Sequence, residues 1–304
     1  MVNKIITTVI RVPAFILLKF LSALPIIVRI YIARIGALLV TPFLKRENLF
    51  IKLQSKAFLG REISPYKVYA NIGQTFFEAF NLKDIKEENI VIHKSREDIL
   101  EKIQNDNKPT IVLTAHTGNW ELLAAYFIKK GFKIATAARK ARFKIAQEMI
   151  EKIRSAYGIQ TIWRCGNQGA KEILDVIKNK HLMAGLIDQH TRVTSVSGTF
   201  FGHEVKVPSS LIKIAKKHDA NIIIAFNFRK DLTHYDFYLH YLDPECSREE
   251  IVKTYNELLE KYIRMYPDEW VWMHKRWRVV NGKDLSRREY LEHLNNLLTE
   301  KKDN

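Results

Sequence analysis

The apolar pattern of the chain changes period near residue 110. Before that point it reads as helices; after it, short apolar runs alternate with helical stripes. Residues 1–46 are aliphatic, interrupted singly by Lys4, Arg11, Lys19, Arg29 and Arg34. On one ideal helix these five fall within a sector of about 140°, with aliphatics over the rest, although Pro13 and Pro25 must bend or break it. Residues 47–82 set Phe50, Leu53 and Phe58, then Tyr69, Ile72, Phe76, Phe77 and Phe80, on apolar stripes of helical spacing. Residues 83–109 are charged and polar and close on Asn105-Asp106-Asn107, a loop signal.

The later pattern predicts strands over 111–115, 132–138, 160–163, 181–187, 221–228 and 235–242. It predicts helices over 119–130, 143–157, 170–178, 208–218, 247–265 and 287–299, with Pro208 in a helical first turn. Strands alternating with helices indicate an α/β fold, a layered α/β/α domain around a central mixed sheet. No repeat or Gly/Ser linker divides the chain. The expected organisation is a basic apolar helical segment at 1–46 that associates with a membrane, and a single α/β domain at 47–304.

Charge sharpens the reading of the first segment. Residues 1–46 hold seven Lys/Arg and no Asp or Glu. The basic residues leave no uncharged run long enough for a clean span, and no signal-type cleavage site follows. The sector pattern is that of helices lying in a membrane surface, with Lys/Arg at the headgroups. A buried helix pair, or a tilted span with Lys19 snorkelling, gives the same projection. The net charge of +16 over 304 residues calls for acidic partners: phosphates, anionic lipid, nucleic acid or an acidic carrier protein. Cys165 and Cys246 lie far apart without metal-type spacing, which fits a reducing compartment and implies no metal site.

The candidate chemistry lies in Thr110-Ile-Val-Leu-Thr-Ala-His116-Thr-Gly-Asn-Trp-Glu121. An apolar strand runs into a histidine, then a Thr117-Gly118 turn, then a helix opening at Asn119. A histidine at a strand end and a carboxylate in the next helix's first turn can face each other across such a bend. An imidazole oriented by a carboxylate takes a proton from a hydroxyl near neutral pH. His93 and Asp98, and His240 and Glu245, share that spacing. However, His93 sits in a charged run that reads as a solvated helix start, and His240 in a strand ending at Asp243-Pro244. There is no phosphate-binding P-loop, GxGxxG, GxSxG or HExxH, so nucleotide hydrolysis, dinucleotide redox and serine-hydrolase chemistry lack support.

His116-Thr-Gly-Asn-Trp-Glu121 resembles the HxxxxD/E block of the bacterial lipid A biosynthesis lauroyl/myristoyl acyltransferases. Further blocks match in order: Arg139 after the second strand, Arg154 with Gly158, and Leu186-Ile-Asp188-Gln189. Phe200-Phe201-Gly202 followed by Pro208, and Trp272-Met-His274-Lys-Arg276-Trp277, complete the series over roughly residues 110–280. The basic apolar N-terminus matches that family's membrane anchor. The chain departs from the pattern at Lys140-Ala141-Arg142 and at His190-Thr191.

The resemblance implies a membrane-associated O-acyltransferase at the cytoplasmic face of an inner membrane. It would move a fatty acyl chain from an acyl carrier protein thioester to a hydroxyl of a lipid A precursor, with no cofactor and no metal. His116 would be the general base and Glu121 its orienting partner, a His–Glu dyad. Arg154, Asn119 or a backbone N–H of the Gly118 turn would stabilise the oxyanion. Asp188 is a further catalytic candidate, or else a turn cap. Asn119, Arg139, Arg164 and Gln189 are candidate substrate-binding residues. The Trp270/Trp272/Trp277 cluster suits either a membrane interface or packing on the sheet. The alternatives are a glycerophospholipid acyltransferase of the HxxxxD type and a non-enzymatic basic membrane- or nucleic-acid-binding protein. The acyltransferase reading expects no nucleic acid partner.

Overall fold

A computed structural model describes residues 13, 16–17, 19–141, 144–164, 166–190 and 194–303, with side chains to 300. Lys4, Arg11, Arg142, Cys165 and Thr191 lie outside the described residues. Residues 19–23 are helical, and three helices follow: α1 (Ile26–Val40), which continues as a tight turn at Thr41–Phe43, α2 (Lys45–Gln54) and α3 (Pro65–Ala79). Then follow β1 (Ile90–Lys94), α4 (Ile99–Asn105), β2 (Thr110–Thr114), α5 (Trp120–Lys129), β3 (Ile134–Ala138), α6 (Lys144–Ser155) and β4 (Gln160–Trp163). The chain continues through α7 (Gly166–Lys178), β5 (Leu182–Leu186), the hairpin β6 (Ser195–Phe200) and β7 (His203–Pro208), and α8 (Ser210–Lys217). It ends with β8 (Asn221–Arg229), β9 (Tyr235–Leu242), α9 (Arg248–Met265), the short β10 (Val279–Val280) and β11 (Lys283–Asp284), and α10 (Arg287–Asp303).

Seven strands form one sheet in the order β1-β9-β8-β2-β5-β3-β4. Neighbours run parallel except β8 and β9, which return antiparallel, so the sheet is mixed as the pattern predicts. Every residue of β2 is buried. Ile111 and Leu113 enter one core, with α8 and α9, while Val112 enters the other, with α4 and α5. Helices therefore cover both faces, which is why β2 reads as an unbroken apolar run.

Besides the short α4, β10 and β11, which the sequence pattern does not predict, the structure differs from the sequence reading in two places. Within the charged stretch 83–109 lies β1, five residues long and alternately half-buried and exposed. An edge strand this short buries too little to stand out from its charged surroundings. His93 is accordingly a strand residue, stacked on Tyr238 at 4.6 Å and bonded through Nε2 to Asp236 at 2.9 Å. The second difference is the hairpin β6–β7, which turns through Phe201 (φ 51°) and Gly202 (φ 78°). A left-handed phenylalanine is strained. It is held because its N–H donates to Glu260 Oε2 at 2.7 Å and its ring is buried under Arg264. Pro208 ends β7 rather than opening a helix, and α8 starts at Ser210.

The first helix also departs from the surface-helix picture in its charges. Arg29 is completely buried, ion-paired with Asp84, and donates to the Phe77 carbonyl at 3.2 Å. Ile30, Ala33 and Ala37 are buried, and Ala33 packs directly on Gly73 of α3. What α1 leaves outside is apolar: Ile27, Tyr31, Ile35, Leu38 and Leu39 are exposed, with Phe43 beyond at 84%. The stretch Ile26–Phe43 is 18 residues long, has a mean hydropathy of 1.8, and is 22% buried. Arg29 therefore faces the protein instead of the headgroups the projection assigned to it.

Candidate active site

The site begins with strand register. β2 and β5 run parallel with Thr114 opposite Leu186. Two residues further on, His116 and Asp188 leave the same end of neighbouring strands side by side, at the carboxyl edge where open α/β sheets place ligands. His116 Nδ1 lies 2.8 Å from Asp188 Oδ1, and Trp270 Nε1–H donates to Asp188 Oδ2 at 3.0 Å. The Asp188 side chain is completely buried, while that of His116 keeps 26% exposure. Burial alone would raise the Asp188 carboxyl. The His116 ring and the donors from His116 and Trp270 outweigh it and hold the group at about 2. Asp188 is thus an ionised acceptor for a ring proton on Nδ1, with Nε2 as the ring's other nitrogen.

The expected pairing of His116 with Glu121 is not the one the fold makes. Glu121 lies in the first turn of α5 and takes two hydrogen bonds from Arg154, at 2.9 Å from Nε and 2.6 Å from Nη2. Arg154 Nη1 also donates to Thr136 Oγ1 at 3.1 Å. This near-buried fork spends three of the five guanidinium N–H groups, leaving one on each Nη for a ligand. The reason is topological. The strand beside β2 brings Asp188 to the ring, whereas the helix start swings Glu121 toward α6.

The turn between them is fixed from below. Gly118 has φ +52°, and a Cβ there would stand 2.5 Å from the Asn227 carbonyl oxygen. Its N–H donates to the Glu269 carbonyl at 3.2 Å, and its carbonyl accepts from Thr75 Oγ1 at 2.6 Å. The bond to Glu269 occupies the Gly118 N–H, one of the backbone donors of this turn named as rivals for the oxyanion. Asn119 is completely buried. Its Oδ1 caps α5 at Leu122 N–H, 3.0 Å, and its Nδ2 donates to Glu78 Oε2 at 2.8 Å. Asn119 thus serves the scaffold. Beneath it Arg229, its side chain 2% exposed, bridges Glu78 at 2.8 Å and Glu269 at 3.0 Å. Burial works against the Arg229 charge, but the two carboxylates keep it firmly protonated.

In front of His116 opens a cavity of about 460 Å³. His116, Arg139, Arg154, Arg164 and Gln189 all line it, so the fold gathers five of the eight sequence candidates at one opening. Arg139 and Arg164 are exposed at its mouth. Trp120 lies between this cavity and a small apolar one behind α5, edge-on to His116 with centroids 5.2 Å apart. Trp270, Trp272 and Trp277 are at most 1% exposed and pack with Phe200, Phe201 and Phe58, so the cluster is core and not a membrane belt. The sequence had not singled out the Trp270 N–H as Asp188's second partner. Its only trace was the tryptophan cluster itself.

A family model for bacterial lipid A biosynthesis acyltransferases matches residues 5–279. The chain belongs to that family. Comparison with curated proteins gives no match. Membership makes the chain an acyltransferase of lipid A biosynthesis, and the resemblance seen in the blocks from His116 to Trp277 extends over nearly the whole sequence.

Two outcomes follow from this geometry. Gly118→Ala adds a strained φ and a backbone collision, and is expected to cost about 2–4 kcal/mol in chemical denaturation; an unchanged midpoint would contradict the close approach. Burial lowers His274, which lines the cavity, to about 4, the Asp188 charge opposing only in part. The unfolded chain then binds one more proton than the folded chain between about pH 4 and 6.5. This residue therefore contributes stability above 6.5 that is lost as pH falls, at about 1.4 kcal/mol per unit. Wild type and His274→Phe should diverge by that slope in the window; parallel curves would show that His274 titrates alike in both states.

Proposed function

We propose that this acyltransferase takes its acyl chain from an acyl carrier protein thioester and places it on a hydroxyl of a lipid A precursor, with His116 as general base. The observation that carries the reading is a histidine held by a buried, ionised aspartate at the mouth of a cavity with a basic rim. His116 Nε2 removes the hydroxyl proton as the oxygen attacks the thioester carbon. The remaining N–H groups of Arg154 stabilise the oxyanion, and Glu121 acts through Arg154 by fixing its guanidinium plane. As the tetrahedral species collapses, the C–S bond breaks and the imidazolium returns its proton to the leaving thiolate. Arg139 and Arg164 meet phosphate on the acceptor or acidic residues of the carrier. The reaction needs no covalent acyl-enzyme and no cofactor.

The exposed apolar face of α1 supports a position in the membrane surface, at the cytoplasmic face where the carrier protein is available. The ion pair of Arg29 with Asp84 keeps the helix against the domain, and its outer side meets lipid.

The test is acyl transfer from carrier-protein thioesters to a tetra-acylated lipid A precursor, with glycerol 3-phosphate as a competing acceptor. Wild type is expected to acylate the lipid A precursor, and His116→Ala to lose at least about 100-fold while its denaturation midpoint holds. Transfer to glycerol 3-phosphate alone would make the chain a glycerophospholipid enzyme. Free fatty acid alone would make it a thioesterase.

A further inference from the structure

A second cavity, of about 430 Å³, lies beside α1, behind the network that fixes the His116 turn. Arg34 of α1, Lys67 and Asn71 of α3, and Arg229 and Lys230 at the end of β8 line it. Its acidic neighbours are already engaged. Glu269 is paired with Arg229, and Lys67 with Asp268 at 3.2 Å. Asp231 accepts from the N–H groups of Thr233 and His234, which with the His234 ring hold it at about 2. The cations are less well satisfied. Arg34 reaches Gln74 Oε1 only at 3.4 Å, and its Nε is buried without a hydrogen-bond partner. The Nε of Arg229, whose side chain is 2% exposed, is likewise unpartnered. Arg229 already holds two carboxylates, so the open cation is Arg34, whose buried Nε favours an anion.

The position of Arg34 on α1 says which anion. Taking about 100° per residue, Ile27, Leu38, Tyr31 and Ile35 lie within roughly 100° on one side of Arg34, and Ile30, Ala37 and Ala33 within roughly 100° on the other. The first four are 43%, 61%, 53% and 57% exposed, and the last three are buried. Arg34 therefore stands on the line where the apolar outer face of α1 meets the polar cavity.

We propose that this cavity binds the phosphate of an anionic lipid, whose chains lie along the outer face of α1. Arg34 and Lys230 supply the charge, and the site is separate from the catalytic cavity. Its floor is the Arg229–Glu269 pair, and Glu269 also holds the Gly118 N–H. A lipid bound here therefore rests on the scaffold of the His116 turn. The proposal rests on the reading that α1 meets lipid, and the experiment separates the two.

The full-length protein in nonionic detergent is titrated calorimetrically with dioctanoyl phosphatidic acid, dioctanoylglycerol and inorganic phosphate. Phosphatidic acid is expected to bind at least about tenfold more tightly than either of the others. Arg34→Gln and Lys230→Gln, each on a different element, should each weaken it about tenfold, the scale of one charge-assisted contact. Lys171→Gln, an equal loss of charge on exposed α7, should leave it unchanged. Unchanged binding in both site variants, or an equal loss in Lys171→Gln, would overturn the site. Inorganic phosphate binding as tightly as the lipid would make it a free-anion site and overturn the lipid assignment. Dioctanoylglycerol binding as tightly as phosphatidic acid would leave α1 as a lipid contact and remove the headgroup site. Failure of all three ligands, with no flotation on vesicles, would instead defeat the reading of α1.

Discussion

The completely buried carboxylate of Asp188 is the interaction on which the site depends. A lone charge in that place would be unstable. It is tolerated because one oxygen faces the His116 ring and the other receives the indole N–H of Trp270. The three residues come from the end of β2, the end of β5 and the segment after α9. The contact therefore exists only when the sheet register and the C-terminal part of the chain are both in place. Ionisation of Asp188 decides the tautomer of His116, and the tautomer decides which nitrogen faces the cavity.

The surroundings extend the same logic. His116 leaves its strand into a turn that only glycine fits at position 118, and the turn is tied by Glu269 and Thr75. Arg229 bridges the two buried carboxylates beneath it, Glu78 and Glu269, and burial pushes the Glu269 carboxyl up. Glu121 and Arg154 form a second charged pair on the α6 side of the cavity. The arrangement separates two tasks: one carboxylate orients the His116 ring, and the other orients the guanidinium proposed to face the oxyanion. Two carboxylates competing for one imidazole would repel each other; a cation between Glu121 and the rest of the site avoids that.

Much of this was legible in the sequence because it is local. The strand–turn–helix around His116, the Asn119 cap and the alternation after residue 110 all rest on short-range patterns. Asp188 was visible as a polar residue at a strand end. Its partnership with His116 was not, since it depends on β5 lying beside β2, and order within a sheet is not written in either strand. The five-residue spacing to Glu121 is a local signal that three histidines share, and the fold assigns that carboxylate to Arg154. The edge strand β1 is hidden by its brevity. Arg29 was misplaced because a helical projection shows which residues share a side but not which side a neighbour covers. Asp84, 55 positions away, settles that. The tryptophans carried two readings until their stacking on Phe200 and Phe58 identified them as core.

The central claim is that Asp188, and not Glu121, sets which nitrogen of the His116 ring carries the proton. The most direct measurement is the ¹⁵N spectrum of ring-labelled His116 in wild type, Asp188→Asn and Glu121→Gln. The account predicts that the neutral ring of wild type carries its proton on Nδ1 and not on Nε2. Glu121→Gln should keep that pattern, and Asp188→Asn should lose it. The reverse result, with the tautomer disturbed by Glu121→Gln and preserved in Asp188→Asn, would contradict the account.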